Sequence, residues 1–516
     1  MRFLVRNVAV IHVAVVLCAF AWVFGGARGD LLPYFVPWTW ALLLEGMICF
    51  PQCHHDESMV SARERVWSAM RQDPLVWVSI AFVVLLALPF INRALCPICD
   101  YPLIAAGADP TPPIPFLPSC LNRLEQLTVF LWFGPALTAM VAVKHALLKR
   151  GKRALLEMLV WNGVALAGFG FVQSLADAPG PFWVPQVPSA AYFFSSFGYP
   201  NQAGDYFTAL FIVSVGLWRR RLEEVRASGR PSSHAEANAK TVPERDVFWR
   251  RHYLLIAAAI LFFAAINTLS RSAVIMSSVA AVALFLHAGV MSLARLRRAE
   301  RLKRGAWIVF AVIAIAVFGS VFTPAASDRV KNELSGLSAP EILDRVTGRS
   351  EYHTRIAARV FADNVLFGTG GWGYKHRSAP LVPESVSRTF KYEWSNGGAN
   401  VHNDYLQFLV EHGLIGFAFL AAVFMLLVLP VVRVWRALAR SVRFVNRSGL
   451  PPPKGFFIFP AAATAVLLAA LATFLHAFYD CPFRSPAVLS LFLVELAAVD
   501  GFLPTLKNPD EKKRSH

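Results

Sequence analysis

Apolar runs long enough to cross a bilayer recur along almost the whole chain, and a water-soluble fold has no core large enough to hide them. A helix needs about 20 residues to span a hydrocarbon layer of about 30 Å. Runs near that length lie at 7–24, 31–50, 75–91, 127–147, 155–173, 203–218, 253–269, 273–294, 305–322, 412–432, 456–476 and 485–503. The sixth is short and needs Tyr206 and Trp218 at its ends. Of the 516 residues 56% are hydrophobic and only 16% charged, with a mean hydropathy of +0.48. The pattern predicts an all-α polytopic membrane protein of about 12 transmembrane helices, one of its connections being long and partly helical. The stretch from Val8 to Phe24 follows Arg2 and Arg6 as a signal peptide would, but no small-residue cleavage site precedes the next run, so it reads as an uncleaved first span.

Loop charges set the orientation, because short cytoplasmic loops collect Lys and Arg. With the N-terminus inside, the inside segments are 148–154 (Lys149, Arg150, Lys152, Arg153), 219–252 with nine Lys/Arg, 295–304, 433–455 and the tail from Lys507 to His516. The outside segment 174–202 has no Lys or Arg. The chain thus divides into helices 1–5 (residues 1–190), helices 6–9 with a linker at 219–252 (191–322), an outside loop (323–402), helices 10–12 (403–505) and a cytoplasmic tail (506–516). The outside loop carries ten Lys/Arg and eight Asp/Glu, which is compatible with its side because long loops cross largely regardless of charge. A connection of that length is usually functional or has structure of its own. The excess of 50 Lys+Arg over 33 Asp+Glu is accounted for by inside loops, and no nucleic-acid partner is expected.

Polar chemistry gathers at the edge of the tenth apolar run. In Val401-His402-Asn403-Asp404-Tyr405-Leu406-Gln407-Phe408-Leu409-Val410-Glu411, a helix starting near Asn403 puts Asp404, Gln407 and Glu411 on one face. The bland alternative is that Asn403 or Asp404 caps the helix and His402 is an interfacial bystander. Glu411, with the small Gly413 and Gly416 that permit close helix contact, favours function. Ser270-Arg271-Ser272 stands at an outside junction of two runs, where Arg271 either snorkels to the interface or offers a guanidinium between two hydroxyls to phosphate oxygens. Arg355 and Arg359 lie four apart and can grip one anion together. The alternative is a solvated face, with Glu351 pairing Arg355.

Other patterns carry less. Gly368-Thr369-Gly370-Gly371-Trp372-Gly373 matches G-x-G-x-x-G, yet no βαβ unit flanks it, so a tight turn ending the arginine-bearing helix is expected instead of a dinucleotide site. Tyr199-Pro200-Asn201-Gln202-Ala203 and His476-Ala477-Phe478-Tyr479-Asp480-Cys481-Pro482 share the outer side, each readable as capping or turn chemistry. Among the cysteines only Cys96 and Cys99 have a redox or metal spacing, with Cys120 as a conceivable third partner, and a structural disulfide or no role is favoured over redox function.

In this order the clusters resemble the O-antigen ligase and polymerase superfamily. The resemblance rests on Pro200 to Ala203, Ser270-Arg271, Phe361 to Gly370 (Phe-x-Asp-Asn-x-x-x-Gly-x-Gly), His402 to Gly416 (His-Asn-x-x-Leu-x-x-x-x-Glu-x-Gly-x-x-Gly) and His476 to Pro482. It covers roughly residues 190 to 500, and the His402 segment is its most specific part. Relatives often have an aromatic after the first arginine of the loop helix and a Pro before Leu-x-Gly, where this chain has Tyr352-His353 and Val365, so the counterpart of the family's loop arginine is either Arg349 or Arg355.

The resemblance implies an inner-membrane glycosyltransferase that moves a glycan from an undecaprenyl-diphosphate carrier to an acceptor hydroxyl at the periplasmic face, with inversion and without metal or cofactor. The acceptor is a glycolipid such as lipid A-core in a ligase, or a second carrier-linked repeat unit in a polymerase. His402, Arg271 and Arg355 are then the catalytic candidates, and Arg349, Arg359, Asn201, Asn403, Glu411, His476 and Asp480 the substrate-binding ones. Arginines can take the place of a metal at a departing diphosphate. An imidazole, ordinarily titrating near pH 6.5, can accept the acceptor's proton or only orient the diphosphate. A flippase or transporter would instead place ionisable groups at mid-membrane and show an internal repeat, and no such repeat is evident.

Overall fold

The computed structural model describes residues 7–93, 112–185, 193–228, 244–293, 353–378, 381, 400–448 and 460–503. Among these residues the chain is all-α, with two isolated bridges and no strand. The helices are α1 (Val8–Trp22), α2 (Leu32–Cys49), α3 (Met59–Gln72), α4 (Pro74–Ala87), α5 (Arg123–His145), α6 (Lys149–Leu175), α7 (Pro200–Ser228), α8 (Glu244–Asn267), α9 (Arg271–Leu293), α10 (353–362), α11 (Gly373–Ser378), α12 (Asp404–Ser448), α13 (Ala461–His476) and α14 (Pro486–Ala498). Every apolar run inside the described residues falls on a helix, whereas the run 305–322, Arg349 and the Cys96–Cys99 pair lie outside them.

Among the described residues, four segments can cross a membrane by length and apolarity: α2, α5, α6 and the Asp404–Arg436 part of α12. A fifth is added if α3 and α4, bent by 72° at their junction, count as one span. The bend has a local cause. Asp73 accepts the Leu75 N–H at 3.0 Å, and Pro74 begins the new helix without needing a donor. α3 was not among the expected elements, because Arg63, Glu64, Arg65 and Arg71 break any apolar run, and it buries only Ala62, Val66 and Met70.

The core is one large apolar cluster. α7 packs on α8 and α13, α5 on α14, and α1 on α2 and α6. A smaller cluster of Ile356, Ala357, Val360, Tyr374, Val401 and Val410 fastens α10 and α11 to the head of α12. Lys375 and His376 tie the same segment to Glu125 of α5 at 2.9 and 2.6 Å.

α12 is not one continuous helix. Gly413 has φ 65° and ψ −171°, a conformation that only glycine adopts readily. The break frees backbone groups, and inside lipid these need partners. The loop after α10 supplies them: Thr369 N–H donates to the Val410 carbonyl at 3.0 Å and Gly370 N–H to that of Glu411 at 2.8 Å. In return Leu414 and Ile415 donate to the carbonyls of Val365 and Leu366 at 2.9 and 3.1 Å. A Cβ on Gly368 would overlap the Glu411 backbone, and one on Gly413 would overlap Leu366. The glycines of the two segments therefore allow the loop and the interrupted helix to interlock.

Candidate active site

The head of α12 meets the turn between α13 and α14. Asn403 Oδ1 caps α12 by accepting the Leu406 N–H at 3.0 Å. Asp404 N–H donates to the Ala477 carbonyl at 2.9 Å, and its carboxylate accepts the Phe483 N–H at 2.7 Å. Asp404, Gln407 and Glu411 do share one face, and that face is buried. Gln407 reaches both ways, accepting the Val401 N–H at 3.0 Å and donating to Glu411 at 3.1 Å. Glu411 is paired with Arg484 at 2.6 Å, whose guanidinium lies 4.7 Å from the Trp372 ring.

His402 stands just before this helix with φ 54°, an uncommon left-handed conformation for a non-glycine residue. Its Nδ1 is 3.3 Å from Asp480 Oδ1, and its side chain is 24% exposed against 6% for Asp480. A proton on Nδ1 serves that contact and leaves Nε2 as the acceptor atom, the arrangement by which a carboxylate orients a general base. The His353 ring meets the His402 ring edge-on at 5.5 Å, so the arginine-bearing helix α10 begins beside it. Arg355 and Arg359 share the exposed face of α10, opposite the buried Ile356, Ala357 and Val360.

Asp480 is held from several sides. Tyr199 donates its hydroxyl at 3.0 Å, Asn201 donates its amide, and the Cys481 N–H donates at 2.8 Å. Burial alone would raise its carboxyl, but His402, His476 and the Cys481 N–H hold it well below the usual carboxylate range. Burial, and then Asp480, push the Tyr199 hydroxyl and the Cys481 thiol well up. His402, Asp480 and Cys481 bring three metal-ligand types within 4.8 Å of one another. A thiol kept protonated, next to a carboxylate already accepting this many donors, suits a hydrogen-bonded network better than a metal centre.

Ser270-Arg271-Ser272 opens α9, with Ser270 and Ser272 hydroxyls 2.9 Å apart and Arg271 exposed. Gly204, one turn past Asn201, lies against Thr268, Ser270 and Ala273 without room for a Cβ, which brings the heads of α7 and α9 together. Of the expected site residues, then, His402, Asp480, Asn201 and His476 form one connected cluster. Glu411 joins a separate pair with Arg484, and Asn403 caps a helix.

Sequence reading passed over Asp205, His353 and Arg484. Asp205 Oδ1 lies 2.9 Å from His476 Nδ1, both side chains almost wholly buried. A single carboxylate within the apolar run 203–218 was the signal available. Next to α12, α13 and α14 is a cavity of about 350 Å³, lined by aromatics such as Trp132, Tyr405, Phe408 and Phe474, with Glu411 and Arg484 among its walls.

An all-helical membrane protein with an oriented histidine where polar residues enter its apolar helices is the class these features define. Residues 256–421 match the family model described as O-Antigen ligase, which supports membership of the O-antigen ligase/polymerase superfamily. The match spans Arg271, Arg355, Arg359, His402, Asn403 and Glu411, and leaves Asn201, Asp205, His476 and Asp480 outside it. No curated protein matches the chain.

Proposed function

We propose that this protein is an inner-membrane glycan ligase that transfers a glycan from an undecaprenyl-diphosphate carrier to a glycolipid acceptor such as lipid A-core at the periplasmic face. In this reading about 12 helices cross the membrane, both termini are cytoplasmic and the His402 cluster faces the periplasm. The observation that carries it is the His402–Asp480 contact beside the arginine helix, within a chain whose matched family handles lipid-linked glycans in general.

His402 Nε2 takes the proton of the acceptor hydroxyl as that oxygen forms its bond to the anomeric carbon. On the opposite face the bond from that carbon to the diphosphate oxygen breaks, so configuration inverts. The electron pair leaves with the carrier diphosphate. Arg271 and Arg355, with Arg359 and Arg349 as further anion ligands, stabilise the developing charge in place of a metal. Asp480 sets the tautomer and orientation of His402. Asn201, His476 and Asn403 are spent on internal contacts and support the site from behind, as does Glu411 through Arg484. The aromatic cavity beside Tyr405 suits the isoprenoid chain of the carrier.

A polymerase shares donor and leaving group and differs in acceptor. Deleting the gene and resolving surface glycans on a gel separates the two. A ligase predicts that long carrier-linked chains accumulate, and glycolipid capped with a single repeat would reassign the protein as a polymerase. Transfer by purified protein from a defined carrier-linked donor, with core glycolipid present or absent, tests the chemistry. Undiminished transfer by both His402→Ala and Arg271→Ala would remove these residues from the mechanism.

A further inference from the structure

Behind the His402–Asp480 contact the buried polar groups continue into the helices. Asp205 Oδ1 lies 2.9 Å from His476 Nδ1, His476 Nε2 lies 3.8 Å from Asp480 Oδ2, and Asp480 Oδ1 lies 3.3 Å from His402 Nδ1. Carboxylate and imidazole alternate along these four groups, from the buried head of α7 to the edge of the bundle. Asp205, His476 and Asp480 are 2%, 3% and 4% exposed. Asp205 Oδ2 has no hydrogen-bond partner among the described residues. A carboxylate in an apolar helix is costly and marks a functional position by default. For stability alone, an apolar pair of similar volume in place of Asp205 and His476 would serve as well or better.

We propose that Asp205 is a positioning residue for glycan transfer, acting through His476 and Asp480 on His402. The inference rests on reading His402 as the base. Asp205 stands at ion-pair distance from Nδ1 of His476, whose Nε2 faces Asp480. An imidazolium at His476 is flanked by a carboxylate on each side. That positive charge balances Asp480, which then orients His402 without over-stabilising its protonated form. Asp205 touches neither donor nor acceptor. The ionisable groups around the four are Tyr199, His353, Asp404, Cys481, Arg484 and Glu495. None of these bridges Asp205 to His402 as His476 and Asp480 do.

The test is transfer by the purified full-length protein in lipid nanodiscs, with a defined undecaprenyl-diphosphate donor, for wild type, Asp205→Asn, His476→Gln and the double variant. Asp205→Asn should lower kcat on the order of a hundredfold, as a misplaced catalytic group does, with KM within about twofold. Without the carboxylate the positive charge beside Asp480 is withdrawn, and Asp480 bears more strongly on the imidazolium form of His402. The acidic limb of the kcat profile should therefore move to higher pH. Because the effect runs through His476, the double variant should be no slower than His476→Gln alone. Wild-type kcat and pH profile in Asp205→Asn, or additive losses in the double variant, would overturn the proposal. If Asp205→Asn does not fold, His476→Gln carries the same kcat and pH expectations, and wild-type behaviour there overturns it equally. His402→Ala in the same assay separates the two readings: full activity there defeats the proposed function itself, whereas loss there with a normal Asp205→Asn defeats only this inference.

Discussion

Two ion pairs join the same two segments, the head of α12 and the turn before α14, and they are built differently. Arg484–Glu411 is 2.6 Å long, with side chains 10% and 1% exposed, and is braced by Gln407 and Trp372. His402–Asp480 is 3.3 Å long, and its histidine is a quarter exposed and sits at φ 54°. The first pair is closed and fully engaged. The second spends backbone strain to keep an imidazole at the surface. A closed clamp and a strained, partly exposed imidazole thus lie side by side, and the clamp fixes the segment from which the imidazole projects.

The contrast breaks most visibly in activity. His402→Ala should lower transfer by about 10²- to 10⁴-fold, the usual contribution of a general base, while the unfolding midpoint stays close to wild type. Asp480→Asn should lose rate as well, and an active Asp480→Asn would show that the contact orients nothing. Glu411→Ala should behave oppositely, losing about 3–5 kcal/mol of stability because Arg484 is left buried and unpaired. Protein that remains folded should keep most of its specific activity. Replacing both partners with apolar residues should recover much of that loss, measured by thermal unfolding in detergent, and failure to recover would give the pair a role beyond clamping.

Gly413→Ala probes the support both pairs share. It should cost about 1–3 kcal/mol for the forced backbone conformation, with extra loss from overlap with Leu366, and amide exchange at Thr369 and Gly370 should quicken. Unchanged exchange would uncouple the loop from the helix break.

The smallest effect concerns acid. Asp480 is held below the ordinary carboxylate range, so its contribution to stability is complete above about pH 4. It is lost as pH falls from there through the depressed native value. The stability difference between wild type and Asp480→Asn should hold from pH 7 to about pH 5 and shrink only below about pH 4. Shrinkage already between pH 7 and 5 would mean that the carboxyl is not held down.

Much of this architecture can be read from residues alone, for reasons that differ by element. Apolar runs locate helices because lipid leaves the backbone few alternatives. α3 escaped because its charges, the exposed Arg63 and Glu64 and the Glu57-paired Arg65 among them, interrupt any hydropathy signal. The buried polar face of Asp404, Gln407 and Glu411 follows from spacing, but the partner of Glu411 does not, since Arg484 lies far along the chain and no periodicity links them. Gly413 reads as a small packing residue, and only its φ reveals a broken helix whose carbonyls are claimed by the Thr369–Gly370 loop. Asp205 was one acid in an apolar run, and its meaning depends on where the end of α13 lands.

The alternating polar groups also set an order of manufacture. Tyr199 and Asp480, which bond to each other in the finished protein, are 281 positions apart. At about 5–20 residues per second, the ribosome needs tens of seconds to travel from one to the other. Through that interval α7 holds an acidic group in an apolar setting before its imidazole partner exists.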